Sequence, residues 1–241
     1  MEKITSLQNA KIKKWALLKQ KKERDKTGLF LIEGEHLIEE ALKADCVETI
    51  LFDGICPFSY DALIQVTPEI LNKLSQNVSG AKLIAVCRKK ENVIKDPEKL
   101  ILLDGVQDPG NLGTIIRTAI SFGFDGIYCS KDTCDIYNEK VIRSTQGALF
   151  QLPVIYEDLH DVIPELQKEG MTVIGTSLQE SKTMDEMQKE KIAIVLGNEG
   201  QGVHEDIIRL CDAAVRIEMN GFESLNVAVA GGILMYHYRK K

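Results

Sequence analysis

The 241-residue chain contains no apolar run long enough to span a bilayer, and its opening residues, MEKITSLQNAKIKK, lack the hydrophobic stretch of a signal peptide. A cytoplasmic location is the expectation. A CxxC pair is also missing. Cys46, Cys56, Cys87, Cys129, Cys134 and Cys211 are scattered, and the four histidines add no zinc-ligand spacing. Reduced thiols serving as small apolar residues, with no metal and no disulfide, are expected. A further lack concerns IVLGNEGQGV, Ile194 to Val203. A strand followed by Gly197, Gly200 and Gly202 suggests a phosphate loop, yet no Lys or Thr follows, and Glu199 at its centre would repel a phosphate. GxGxxG is absent after the first strand of the C-terminal half, which ranks a Rossmann oxidoreductase low.

At 44% hydrophobic residues the chain can build real cores, in one large or two modest domains. Its net charge of -6 argues, taken alone, against a nucleic-acid partner. The charge is uneven, however. Residues 1 to 26 carry eight lysines and Arg24 against only Glu2, Glu23 and Asp25. Such a run is ordinarily a solvated helix face; the alternative is a surface that grips a polyanion.

Ile12, Trp15 and Leu18 have helical spacing within Leu7 to Lys26. GLFLIEG, VETILF and AKLIAVCRK read as strands, with helices at HLIEEALKA and PEILNKLS. KKENVIKDPEKL is charged, contains Pro97 and has no strong period, which places a domain boundary at 95/96. Beyond it strands alternate with helices: KLILLDGV, a helix from about Gly113 to Phe122, GIYCS, a helix near IYNEKVIRST, LPVIY, a helix at DVIPELQKEG, MTVIGTS, KIAIVLG, a helix after His204, AAVRIEM, and a closing helix ESLNVAVAGGILMYHYRK. This pattern predicts a parallel sheet covered on both faces, with ligands at the carboxyl ends of its strands.

Three of these strands end in unusual polar or glycine-rich segments: DGVQDPGNLGTIIRTA, LGNEGQGV and IEMNGFESLNVAVAGG. In the first, Asn111 reads as a helix N-cap, and Arg117 follows on a mostly apolar helix. Arg117 is either a snorkelling surface residue or a guanidinium aimed at an oxyanion. In the third, Ser224 reads as an N-cap, and Asn226 just inside the helix is a poor helix former whose amide needs partners. Ala228, Ala230, Gly231 and Gly232 let backbone or another subunit approach closely.

In their joint order, NLGTIIRTA, LGNEGQGV and ESLNVAVAGG closely resemble the three motifs of the SpoU (TrmH-type) branch of the SPOUT RNA methyltransferases. The segment ITSLQNAKIKKWALLKQKKERDKTGLFLIEGEHLIEEAL resembles that family's ribosomal-protein-like substrate-binding domain. The resemblance spans essentially the whole chain. It implies an α/β fold in which an RNA-binding domain, residues 1–95, precedes a methyltransferase domain, residues 96–241, with a parallel sheet and a deep trefoil knot. It implies S-adenosylmethionine as cofactor, bound by Thr176, Ser177, Leu196, Gly197, Asn198, Glu199, Gly202, Ile217, Met219, Leu225 and Asn226.

The acceptor so implied is a ribose 2'-hydroxyl, a group that DNA lacks, in rRNA rather than tRNA. Arg117, Asn111, Glu199, Ser224 and Asn226 are the implied catalytic set, with Glu199 expected to contact Asn111 or the arginine. Always protonated, Arg117 suits fixing a phosphate and stabilising a developing alkoxide better than acting as a base. Lys13, Lys14, Lys22, Arg24, Glu33 and Arg117 are the implied RNA contacts, and a homodimer formed through the C-terminal domain is the implied assembly. Glu218 stands where the family commonly has Pro, and His36 where a basic residue is common. A tRNA methyltransferase and a non-catalytic RNA-binding assembly factor of the same fold are the alternatives.

Overall fold

The computed structural model describes residues 1–77, 80–177, 182–187, 189–220 and 224–240. The chain divides into two units, Met1–Glu91 with Tyr137–Phe150, and Asn92–Ile136 with Gln151–Lys241. The segment 137–150, read from sequence as part of the second domain, therefore packs with the first unit.

The first unit begins with β1 (Glu2–Ile4), α1 (Ala10–Leu17), α2 (Lys21–Thr27), β2 (Leu29–Glu33), α3 (Glu35–Lys43), β3 (Val47–Phe52), β4 (Leu63–Val66), α4 (Pro68–Leu74) and β5 (Leu83–Arg88). The strands form one mixed sheet in the order β1-β4-β3-β5-β2. Ile12, Trp15 and Leu18 bury against Ile64, Ile70, Leu71 and Ile84, each side chain contributing roughly 1.5–3 kcal/mol of transfer free energy. The lysine-rich segment is not one helix. Gln20 is extended at ψ 130, and Arg24 reaches back so that its Nη1 donates to the carbonyls of Leu18 and Lys19, both at 2.9 Å. One guanidinium thereby satisfies two carbonyl groups released where α1 stops. β1 and β4, absent from the sequence reading, are short and carry little periodicity.

The second unit contains β6 (Lys99–Asp104), α5 (Pro109–Ser121) and β7 (Gly126–Cys129); α6 (Glu139–Thr145), next in the chain, belongs to the first unit. There follow β8 (Val154–Tyr156), α7 (Leu159–Lys168), β9 (Thr172–Thr176), β10 (Lys182–Thr183), β11 (Ile192–Gly197), α8 (Glu205–Leu210), β12 (Ala213–Arg216) and α9 (Val227–His237). The sheet has the order β10-β12-β9-β11-β6-β7-β8, and every neighbouring pair is parallel. β6 and β11 are buried at every position, as strands covered on both faces must be. Leu100, Leu102, Ala193 and Val195, spaced by two, meet Leu159, Ile163 and Leu166 of α7, while α9 packs on β11 and α5.

Two local expectations are corrected. α5 starts at Pro109, its cap is Asp108, whose Oδ1 accepts from Asn111 N at 2.8 Å, and Asn111 lies inside the first turn. Pro109 needs no hydrogen-bond partner at N1, which favours the earlier start. α9 is capped by Asn226 rather than Ser224: its Oδ1 accepts from Ala228 N and Val229 N at 2.9 and 3.3 Å. Among the described residues no helix is long and apolar enough to cross a membrane.

Candidate functional site

Strands β12, β9 and β11 are adjacent in the sheet, and the segments leaving their carboxyl ends enclose a cavity of about 400 Å³. Thr176, Ser177, Leu196, Gly197, Asn198, Glu199, Gly202, Ile217, Met219 and Leu225 line it, as does Ser224. Asn226 does not, although Val227 beside it does. Glu218 is exposed and does not line the cavity, whereas Ile217 and Met219 on either side of it do. The glycine segment closes on itself. Asn198 and Gly202 exchange both backbone hydrogen bonds at 2.9 Å, and a Cβ on Gly197 would lie 2.0 Å from the carbonyl carbon of Gly202. Asn198 completes the turn: its Oδ1 accepts from Gly200 N and Gln201 N, and its Nδ2 donates to Gly105 O at 2.8 Å.

Glu199 leaves this loop towards α5. Its Oε1 accepts from Asp108 N at 2.9 Å and from Asn111 Nδ2 at 3.0 Å, and its Oε2 accepts from Gln107 N at 3.2 Å. Asn111 Oδ1 in turn accepts from Asn226 Nδ2 at 2.9 Å, and Asn226 caps α9. Each donor direction is set by the next: a carboxylate can only accept, so Asn111 must turn its amide nitrogen to Glu199 and its oxygen to Asn226. Burial opposes ionisation of Glu199, but the bonds from Asn111, Asp108 N, its own backbone and Gln107 N outweigh it and hold its pKa below the ordinary value. Three distant segments are thus tied by one polar chain, and the expected contact between Glu199 and Asn111 is present.

Arg117 is exposed on α5 and does not line the cavity. On α9, Val229, Ile233 and Tyr236 are 51%, 37% and 57% exposed, an apolar stripe at helical spacing. Tyr236 stands edge-on to Phe122 with ring centroids 5.6 Å apart.

In the first unit Lys13, Lys14 and Lys22 are exposed, whereas Arg24 is buried with Nη1 on backbone carbonyls. Glu33 is half-buried and anchors a turn: its carboxylate accepts from Ser75 Oγ, Gln76 N and Asn77 Nδ2. Arg143 donates to Asn77 Oδ1 at 2.5 Å and pairs with Glu139 at 3.0 Å, fastening α6 to that turn. Neither Arg24 nor Glu33 is placed as a free surface group.

The cavity also takes Val203, Ile208, Val215 and Leu234, which sequence reasoning did not single out. These are apolar residues on periodic segments, and nothing in their spacing separates a cavity wall from an ordinary core.

Residues 98–236 match the family model described as the SpoU rRNA Methylase family, and residues 9–85 match that of the MRM3-like substrate binding domain. The chain is 40% identical, over 99% of its length and 100% of the other's, to the 23S rRNA (guanosine(2553)-2'-O)-methyltransferase RlmP of Bacillus subtilis. Among solved structures it is similar to an AdoMet-bound rRNA methyltransferase from Sinorhizobium meliloti, with a TM-score of 0.88 and 27% identity, covering 98% of this chain and 97% of that one. It is also similar to the SpoU methyltransferase AviRb from Streptomyces viridochromogenes in complex with AdoMet, with a TM-score of 0.83 and 26% identity, covering 96% and 97%.

Proposed function

The chain belongs to the SpoU rRNA methylase family and is an rRNA 2'-O-ribose methyltransferase; we propose that it takes its methyl group from S-adenosylmethionine and delivers it to a guanosine of 23S rRNA. The relatives described above, one acting on that nucleoside type and two holding AdoMet, support this reading. The observation that carries it is the junction of the cavity with the Glu199, Asn111 and Asn226 chain, which unites the ends of β6, β11 and β12 at one place.

The residues present fit the donor. The cavity volume lies in the usual range for a small-molecule site, and its walls combine apolar side chains with the bare backbone of the 197–202 loop. A nucleoside bearing a sulfonium carries no phosphate, so the carboxylate of Glu199 does not face the charge that a nucleotide would bring. Bound there, S-adenosylmethionine supplies an electrophilic methyl whose C–S electron pair leaves with sulfur. The protein's part is positioning and electrostatics. Asn111 and Asn226 hold the α5 and α9 starts together, and Arg117, always charged, stabilises oxygen as the 2'-hydroxyl gives its proton to solvent.

Arg117 lies outside the cavity of its own chain, which supports an assembly in which it serves the cavity of a second copy. The apolar stripe of α9 supports the same homodimer. A trefoil knot, formed by threading of the C-terminal segment, fits the return of α9 onto β11, where Gly231 admits Leu196 Cδ1 at 2.8 Å from its would-be Cβ. Residues 1–95 serve as the RNA-binding part, with Lys13, Lys14 and Lys22 on phosphates, and residues 96–241 as the methyltransferase; action on rRNA implies a cytoplasmic protein.

Transfer of labelled methyl from S-adenosylmethionine to RNA from cells lacking this protein, followed by nucleoside analysis, tests the proposal. The wild type should yield 2'-O-methylguanosine. Arg117→Ala should transfer about 100-fold less or worse, the loss typical of a transition-state charge contact, while its stability changes by no more than about 0.5 kcal/mol, since the residue is exposed. Donor and RNA binding without transfer by the wild type would instead support the assembly-factor reading.

A further inference from the structure

Both ends of the glycine loop are fastened to two consecutive residues at the point where β6 ends. Asn198 Nδ2 holds Gly105 O, and at the far end His204 holds Asp104: His204 N and Nδ1 lie 2.8 and 2.9 Å from Asp104 Oδ2. Asp104 is the last residue of β6 and pairs in register with Gly197, where the loop departs. Its carboxylate is buried, at 4% residue exposure, and a buried carboxylate without partners is costly. His204 occupies the N-cap position of α8, yet its side chain makes no capping bond and turns to Asp104 instead. Val203 just before it and Ile208 on the following helix both line the donor cavity.

We propose that the Asp104 and His204 pair is a positioning device for the donor loop, and that protonation of His204 sets how tightly the loop, and with it S-adenosylmethionine, is held. The inference rests on the reading of the cavity as the donor site. Closing the loop at Asp104 fixes Val203 and Ile208 against the cavity, so loosening the pair widens that wall without touching the reacting atoms. His204 and Asp104 act through the loop and are not catalytic residues.

The surroundings favour a charged imidazole. The hydrogen bond to Asp104 and its Coulombic attraction raise the His204 pKa above its ordinary value of 6.5; partial burial opposes this, and Asp132 and Asp206 add to the rise. A cavity of about 310 Å³ behind the pair is lined by both members and by Lys131, Asp132, Asp158, His160 and Asp206. Asp132 accepts from Ser130 Oγ, and His160 bridges Asp158 and Asp206 at 2.9 and 3.0 Å. Lys131, and His160 when protonated, are the other positive groups among those named, and the carboxylates outnumber them. Because the folded pKa is raised, the attraction is complete below 6.5 and is lost as pH rises through the folded-state value. Above it, neutral His204 still donates from Nδ1 to the carboxylate, but the attraction between two opposite charges is gone.

The test is calorimetric titration of S-adenosylmethionine into the intact protein between pH 6 and pH 9, with wild type, His204→Asn, His204→Ala and His160→Asn. The wild-type Kd should rise roughly three- to tenfold across the range. His204→Asn, which keeps a donor but cannot titrate, should give a flat profile within about threefold of the wild-type value at high pH. His204→Ala should bind roughly tenfold more weakly at pH 6, also without slope, while kcat at saturating donor stays within about twofold. His160→Asn should keep the wild-type slope. Thermal unfolding of each variant establishes that it is folded. A profile for His204→Asn that superimposes on the wild type overturns the inference and leaves the cavity reading standing. No binding by folded wild type at any pH overturns both.

Discussion

At the scale of the residue, Glu199 shows why a carboxylate stands in a glycine loop. Its partners are two backbone N–H groups of the β6–α5 connection and the amide of Asn111, all donors. Glu199→Gln keeps the shape but turns an amide nitrogen towards at least one of them. Methyl transfer should fall by about 10- to 100-fold, the range for losing hydrogen bonds to a charged group. The pH dependence follows from the lowered pKa. The stabilising contribution of Glu199 is complete above the unfolded glutamate value of 4.5 and disappears as pH falls through the lower folded value. Unfolding curves of wild type and Glu199→Gln should therefore differ at neutral pH and converge in acid; a gap that persists at the lowest pH would refute the account. The motif positions Asn111, Glu199 and Asn226 were legible from sequence order, but the direction of each amide was not, because it depends on partners 88 and 115 residues away.

Elements explain the glycines. Gly197 ends β11 at a point where the chain returns to within bonding distance of itself, and a methyl group there would meet the backbone of Gly202 and Val203 at 2.0 and 2.1 Å. Backbone cannot rotate aside as a side chain can, so Gly197→Ala must open the loop. It should cost about 1–3 kcal/mol in urea unfolding and abolish measurable donor binding. Gly200→Ala is the control: its Cβ would meet only Asn198 Oδ1, at 3.6 Å, an ordinary contact. Equal effects of the two substitutions would show that general loop stiffness, and not the close approach, matters. The sequence alone marks both positions as glycine in a loop and cannot rank them.

Across the whole molecule the issue is which surfaces are complete. Val229, Ile233 and Tyr236 give α9 an exposed apolar stripe, while Gly231 and Ala228 on its other side are buried. Ile233→Glu should place a charge in the proposed two-fold contact, halve the mass seen by light scattering and remove transfer activity, with circular dichroism unchanged. A wild type that is already monomeric and active would refute the dimer. Segment 137–150 also belongs at this scale. Phe30 packs on Tyr137 with ring centroids 4.6 Å apart, and Arg143 holds Asn77, so the first unit is finished by residues that follow β7 in the chain.

The amino-acid sequence by itself determined the alternation of strands and helices, the parallel sheet, the motif residues and the basic helical segment. Each of these is carried by local periodicity, turn chemistry or the order of short motifs, all of which a linear text preserves. Only the tertiary structure decided that Arg24 is a buried cap for α1, that Asp108 and Asn226 cap α5 and α9, and that Ile208 and Leu234 face the cavity. It alone brought His204 to Asp104, 100 residues earlier. The physical reason is the same in each case. A hydrogen bond or a cavity wall is a relation between positions brought together by folding, and a single side chain's chemistry permits many such relations until packing selects one.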